Sequence, residues 1–571
     1  MKNKRNRKYQ HVIPQIEQWP IFKISEDRRR FIQEIDEFVL DRFMRMPTSQ
    51  VTDILSKTIY LERIRMKEDP WKVDPPNERQ FWRKIRQQLL SFSLDRTEAE
   101  AKKNNEEILR QIIHRYSEEI VGTFRIKTFL FARKFLTLFF NRLLNTAAGR
   151  NLHRFWGSRH RLEDRLLLRG KVEQVRKLMK EGTVVIVPTH FSNLDSILIG
   201  YAMDAFAGLP SFSYGAGLNL YNTGYTAYFM NRLGAYRVDR RKKNAIYLET
   251  LKAMSNLSIQ RGVNSLFFPG GTRSRSGALE TQLKMGLLGT AVEAQRANLQ
   301  NEGNTKVFIV PLVLSYHFVL EAQFLIEQHL KRIGKERYIK SKDDFHSFRR
   351  LLKYAWKFFS ESNEIILSFG QPLDVLGNPV DEAGNSFDLY GNPIKMEEYF
   401  YSDGKVVKNL QRESEYTIRL AEQIVDRYHK DNIVLSSHLV AFSAFEILKN
   451  ENRKLDLYGI MRLPTDDYIF SKPQLKEVVS QLREVLIEME KSGKIQLSDS
   501  IRGAVDDLIN DGVSRLGTYH LSKPLRFNKK REIVSDSFKV LYFYHNRLEN
   551  YQLDKQIEWK KKKPAVAQVV E

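Results

Sequence analysis

A histidine followed five residues later by an aspartate, at the end of an apolar run, is a pair able to move a proton. The apolar run Thr183-Val-Val-Ile-Val187 leads into Pro188-Thr-His190-Phe-Ser-Asn-Leu-Asp195-Ser196, and an apolar helical pattern begins at Ile197. On one continuous helix a separation of five places two side chains about 140° apart, so His190 and Asp195 meet only if a turn divides them. With Ser192 or Asn193 as the cap, Asp195 falls in the first helical turn, where the macrodipole favours its ionised form. The expected product is a His–carboxylate dyad in which Asp195 fixes the imidazole tautomer and the free ring nitrogen takes a proton. The chain has no cysteine and no Gly-x-Ser-x-Gly elbow, so neither covalent nucleophile is at hand.

Three further blocks follow. Gly234-Ala-Tyr-Arg-Val-Asp-Arg240-Arg241 comes after an aromatic stretch holding Tyr221, Tyr225, Tyr228 and Phe229. In Phe267-Phe-Pro-Gly270-Gly271-Thr272-Arg273-Ser274-Arg275-Ser-Gly277 a strand breaks into a glycine-rich turn. Backbone N–H groups and guanidinium forks presented together suit a phosphate. The turn is not a P-loop, since no Gly-Lys-Ser/Thr ends it, and Gly215-Ala-Gly217 lacks the third glycine of a dinucleotide fingerprint. Val310-Pro311-Leu-Val-Leu314 is an apolar strand.

In this order the four blocks resemble the glycerol-phosphate acyltransferase family. His190 and Asp195 match its His-four-residues-Asp motif, Gly234 and Arg240 its second block, Gly271, Arg273 and Ser274 its third, and Pro311 its fourth. Ala216-Gly-Leu-Asn-Leu220 is similar to the segment before the second block in glycerol-3-phosphate acyltransferases. Two positions depart from the pattern: Gly270 stands where the third block usually has Glu, and Arg237 where the second usually has an apolar residue. The first loses a carboxylate and the second gains a cation, which makes the expected acceptor site more basic.

The resemblance implies an O-acyltransferase that moves a fatty acyl group from acyl-CoA or acyl carrier protein to glycerol 3-phosphate. Lysophosphatidate and dihydroxyacetone phosphate are the alternative acceptors. His190 is the expected base and Asp195 its partner. Arg240, Arg273, Ser274, Arg275 and Lys284 are the expected phosphate ligands, with Gly234, Gly270, Gly271, Thr272 and Pro311 shaping the loops. No cofactor or metal is expected.

The elements that must carry these blocks follow from texture. Apolar runs at Thr183–Val187, Ser265–Phe268, Val307–Leu314 and Glu364–Phe369 alternate with helical stretches. That pattern predicts an α/β domain with a mixed, largely parallel sheet flanked by helices. Residues 1–150 read as a helical N-terminal region, 151–374 as the catalytic domain, 375–405 as a turn-rich excursion and 406–571 as a helical C-terminal region. The chain has 571 residues, and Lys+Arg 93 against Asp+Glu 69 leaves +24. It is therefore a folded, basic protein with an acidic partner: anionic lipid, nucleic acid, or a phosphorylated small molecule or carrier. No helix-turn-helix, zinc-finger or ribonucleoprotein spacing is present, so nucleic acid is not the expected partner. A basic membrane-surface or nucleic-acid binder without turnover is the alternative of another class.

No signal peptide and no span of about 18 apolar residues is seen. Residues 125–144 read as a basic amphipathic helix suited either to a membrane interface or to packing on the next domain, and Lys560–Lys563 beside Trp559 make a polybasic tail that either touches anionic lipid or is solvated. The expected location is the cytoplasmic face of a membrane, peripherally bound.

Overall fold

The computed structural model describes residues 8–71, 74–91, 97–146, 166–221, 224–301, 305–334, 364–465, 468–517 and 520–559. The junction expected near residue 150 and the Lys560–Lys563 tail lie outside these residues. The N-terminal helices Arg28–Met44, Thr48–Glu68 and Glu98–Ile120 turn Phe31, Ile35, Val39, Leu55, Ile108 and Ile112 into one core. That core continues onto Tyr247, Leu251 and Met254 of the helix Ala245–Gln260, so the helical region is seated on the α/β part of the chain by apolar packing. Helix Glu98–Ile120 starts in a capping box, Thr97 with Glu100, which satisfies two N–H groups that the first turn leaves open.

Seven strands make the central sheet: β1 Leu166–Gly170, β2 Gly182–Pro188, β3 Ser213–Gly217, β4 Ala235–Val238, β5 Ser265–Leu266, β6 Lys306–Tyr316 and β7 Ile365–Phe369. Their order is β1-β7-β6-β2-β5-β3-β4. The β6–β7 pairing is antiparallel and the others are parallel, so the sheet is mixed and mostly parallel. In β2, Val184 to Val187 are all fully buried, the signature of a strand covered on both faces. Pro311 sits inside β6 opposite Val187. Gly370 N–H reaches the Pro311 carbonyl at 2.9 Å, but proline has no N–H to return the bond, and the β6–β7 ladder begins one residue on, at Leu312.

The turn-rich excursion contains a seven-residue repeat: Asp374, Asp381 and Asp388, each followed by Gly at the third place and Asn at the fourth. Each Asp Oδ1 accepts backbone N–H groups two and four residues on, and each Oδ2 accepts from the Asn amide. These are stacked Asx turns, and the glycines at 377, 384 and 391 take positive φ.

After the helix Leu410–Lys430 the chain forms Ser436–Glu451, in which every residue from Ser436 to Leu448 is buried. A helix buried all round needs cover on every side. It is wrapped by the helices Lys472–Lys491, Val505–Arg515 and Phe538–His545, and it shares a single apolar core with β2, β6 and β7. Short two- and three-stranded sheets also stand in this C-terminal part.

Candidate active site

Chemistry collects where the parallel strands end. β2 stops at Pro188, Thr189 is anchored by its N–H to Leu312 O (3.0 Å) and by its hydroxyl, which accepts from Leu314 N (3.2 Å), and the chain turns at His190. The next helix, Asp195–Ala205, has Leu194 rather than Ser192 or Asn193 at its cap. The Ser192 hydroxyl donates to Glu321 Oε2 (2.9 Å) and accepts from Leu194 N (3.2 Å), and Asn193 N–H donates to Glu321 Oε1 (3.0 Å). Asp195 is the first helical residue and wholly buried. Its Oδ2 accepts from His190 Nδ1 (2.9 Å), Phe191 N (2.7 Å) and Ser192 N (2.9 Å). Its Oδ1 accepts from the Tyr316 hydroxyl at 2.5 Å. Burial, followed by the neighbouring Asp195 charge, pushes the Tyr316 phenol well above its ordinary value, so it stays a neutral donor.

In the neutral His190 ring this network places the proton on Nδ1, facing Asp195, and makes Nε2 the acceptor nitrogen. The ring stacks on Phe268, centroids 4.0 Å apart, and its side chain is 15% exposed. An imidazole held on one nitrogen by a buried carboxylate and open at the other is able to act as a general base.

The third block wraps around this turn. Ser274 N donates to the His190 carbonyl at 2.7 Å, and Gly271, at φ +76, closes back on Phe268 O. Arg273 Nη1 donates to Glu321 Oε1 (3.2 Å), the oxygen that holds Asn193. Arg240, two residues past the end of β4, is held below the ordinary arginine value, first by removal of its head group from water and then by repulsion from Arg273 and Arg275. Neither Arg240 nor Arg275 has an ion pair among the described residues. Arg273 is paired with Glu321, so a group of three guanidinium groups holding one carboxylate, in which Arg240 is repelled by both others, invites an anion.

The remaining sequence-predicted residues divide. The Lys284 side chain is exposed and lies across Gly271, where an added Cβ would come within 2.8 Å of Nζ. Lys284 N also bonds Pro269 O and closes the loop. Thr272 is part-exposed on that loop. The Ser274 hydroxyl is engaged within the loop, donating to Ala278 O and accepting from Gly277 N. Gly234 lies at the start of β4, at the opposite end from Arg240. Its φ is +83, and a Cβ there would meet Ile21 Cδ1 at 2.2 Å, so it serves close packing of the N-terminal region. Pro311 is a sheet residue, as described above. Arg237 does not join the arginine group: it stacks over Tyr221 (4.8 Å) and lines a cavity of about 1010 Å³ against the N-terminal helices.

Four residues with site contacts carry no sequence signal: Tyr316, Glu321, Glu280 and Arg547. Glu280 Oε1 accepts the His190 N–H at 3.0 Å. Arg547 is buried, donates to Leu314 O (2.8 Å) and Asn432 Oδ1 (2.8 Å), and lies over the Phe191 ring at 4.5 Å. Burial pulls its guanidinium down to about 10, against the pull of Tyr551, Glu280, Tyr316 and Asp195. The C-terminal part also grips the third-block loop, since Asn546 Nδ2 donates to Ser276 O at 3.0 Å. A small apolar cavity of about 120 Å³ begins one residue after Asp195, at Ser196 and Ile197, and is walled by Phe129, Leu136, Tyr201 and Phe212.

Residues 169–315 match the family model described as Acyltransferase. The chain is also 26% identical over 264 residues to the glycerol-3-phosphate acyltransferase of Histophilus somni (strain 129Pt). The alignment takes in 46% of this chain and 29% of that relative, so the chain spans less than a third of the relative's length.

Proposed function

We propose that this chain, which carries an acyltransferase domain over residues 169–315, transfers a fatty acyl group from an acyl thioester to a hydroxyl of glycerol 3-phosphate. The observation that carries the reading is the pairing of a braced imidazole with Arg273 and Arg275 on the loop bonded to it and with Arg240 past the end of β4, which those two repel. A phosphate held by that group keeps a nearby hydroxyl within reach of His190 Nε2. As the hydroxyl oxygen attacks the thioester carbonyl, Nε2 takes its proton. The C–O bond forms, the C–S bond breaks, and the departing thiolate regains a proton from the imidazolium. General-base assistance of this kind is worth about a hundred- to ten-thousandfold. A charge-assisted hydrogen bond from each arginine contributes about 1.5–3 kcal/mol.

The apolar cavity beside Ser196 and Ile197 supports a fatty chain close to the dyad. The helix Ile126–Thr146 exposes Leu130 (40%), Phe131 (59%), Phe135 (46%) and Leu138 (61%). Beside Lys127 and Lys134 that face supports docking in an anionic membrane interface. No described helix is long and apolar enough to cross a membrane. The acyl donor is acyl-CoA or acyl carrier protein, both acidic, as the +24 charge favours.

Acyl-CoA consumption with glycerol 3-phosphate, lysophosphatidate and dihydroxyacetone phosphate side by side tests the reading. The highest kcat/KM is expected for glycerol 3-phosphate; a preference for either of the others moves the assignment, and no turnover with any of the three refutes it.

A further inference from the structure

Glu280 stands ten residues beyond Gly270, on the far limb of the glycine-rich loop. Its Oε1 accepts the main-chain N–H of His190 at 3.0 Å, while its Oε2 is shut off from solvent and has no hydrogen-bond partner among the described residues. The same loop also pins the His190 carbonyl, through Ser274 N at 2.7 Å. One loop thus sets both main-chain groups of the residue whose ring does the proton transfer.

The relation to Gly270 is one of space. A Cβ built at Gly270 would have Glu280 Cγ at 3.1 Å, Oε1 at 3.3 Å and Cδ at 3.7 Å as its three nearest neighbours. Gly270 is not among the glycines with positive φ, so its backbone does not require glycine. What the missing side chain provides is room. A side chain at 270 and the carboxyl of 280 compete for one place beside His190, and in this chain position 280 fills it.

Keeping a carboxyl there is costly. Burial pushes Glu280 up to about 7, the nearby Asp195 charge adding to the rise, while the N–H groups of His190 and of Glu280 itself and the Arg547 charge offset part of it. Strongly displaced groups of this kind gather at working sites.

We propose that Glu280 is the positioning carboxylate of this site, occupying the place left by the absent side chain at 270 and setting the main-chain position from which the His190 ring works. The proposal rests on the reading of His190 as the base. It makes the departure at Gly270 a relocation of the carboxylate along the loop.

A carboxylate-swap series tests it, with steady-state kinetics of thioester consumption and amide hydrogen exchange of the segment containing His190 as the two readouts. Glu280→Ala should lower kcat about tenfold to a hundredfold with little change in acceptor KM, since displacement of a reacting group by about an ångström is enough for that loss. The His190 amide should exchange faster in the same variant. Glu280→Gln keeps an acceptor oxygen and should lose far less than Glu280→Ala on both readouts. Gly270→Glu alone should be damaged by collision with Glu280, whereas Gly270→Glu combined with Glu280→Ala should recover about tenfold or more of the lost kcat, together with amide protection.

Three results overturn the proposal: normal kcat and protection in Glu280→Ala, equal damage in Glu280→Gln, or a double variant no better than Glu280→Ala. If Glu280→Ala does not fold, the double variant decides on its own. The exchange measurement needs no substrate, so an inactive wild-type protein would refute the acyltransferase reading while protection still tests Glu280.

Discussion

Replacing Tyr316 by Phe removes one oxygen and probes the whole brace behind His190. The Tyr316 hydroxyl donates to Asp195 Oδ1 at 2.5 Å, with Tyr316 6% and Asp195 0% exposed. Asp195 Oδ2 already serves three donors, so in the variant Oδ1 is left without its donor in a dry setting. A hydrogen bond to a charged group is worth about 1.5–3 kcal/mol, and a buried oxygen left unsatisfied forfeits it in full. If the catalytic part melts as a unit of about 150–250 residues, a loss near 2 kcal/mol lowers Tm by about 4–8 °C. The same loss loosens the carboxylate that holds the ring, so kcat should fall about tenfold, 1.4 kcal/mol being one decade. Acceptor KM should stay within about twofold, because the lost bond lies behind Asp195 and away from the arginine group. Thermal unfolding and initial rates of thioester consumption measure both. A variant with the Tm and kcat of the wild type would refute the idea that Asp195 leans on Tyr316.

Arg275→Ala should raise the KM for a phosphorylated acceptor about tenfold or more and leave kcat nearly unchanged, because Arg275, unlike Arg273, braces no carboxylate of the turn; an unaltered acceptor dependence would remove it from the phosphate site. Gly277→Ala should lower stability by more than about 2 kcal/mol, read as a fall in Tm, since φ is +90 and the new Cβ would fall 2.1 Å from Phe543 O; a wild-type Tm would contradict the clamp between the loop and the C-terminal part. Burial, with Arg547 next in weight, holds His438 well below its ordinary 6.5. The unfolded chain therefore binds the proton that the folded one refuses, and this contribution to stability, complete above pH 6.5, is lost as pH falls below it. Glu280, raised from 4.5 to about 7, works the other way: its contribution is complete below pH 4.5 and is lost as pH rises through 7. His438→Gln should therefore flatten the fall in Tm between about pH 6.5 and 5, and an unchanged slope would contradict the assignment.

The parts of this site legible in the sequence are those on short, continuous segments. His190 and Asp195 lie five apart across one turn, Arg273 and Arg275 on one glycine-rich loop, and Arg240 just past the end of a strand. The alternation of apolar runs and helices conveyed the sheet, because strands covered on both faces lack polar positions. What was not legible arrives from far along the chain. Tyr316 and Glu321 reach the turn because β6 lies beside β2, and Arg547 because a buried helix pulls the C-terminal part into the same core. None of them sits in a pattern of its own. Gly234 and Ser274, marked for the site by block membership, also have structural contacts that the sequence does not show: packing against Ile21 for the first and the loop's own hydrogen bonds for the second. Gly270 read as a lost carboxylate, since only the coordinates of Glu280 reveal the one that stands in its place. The Asp-Gly-Asn repeat was present in the sequence at a regular seven-residue interval, hidden by the expectation that turn-rich stretches are irregular.

The most direct test is the turnover of His190→Ala. With circular dichroism and Tm matching the wild type, the rate of acyl transfer to glycerol 3-phosphate should drop by about a hundredfold to ten-thousandfold. A folded His190→Ala protein that keeps a rate within about tenfold of the wild type would contradict the account, because proton removal would then belong to another group.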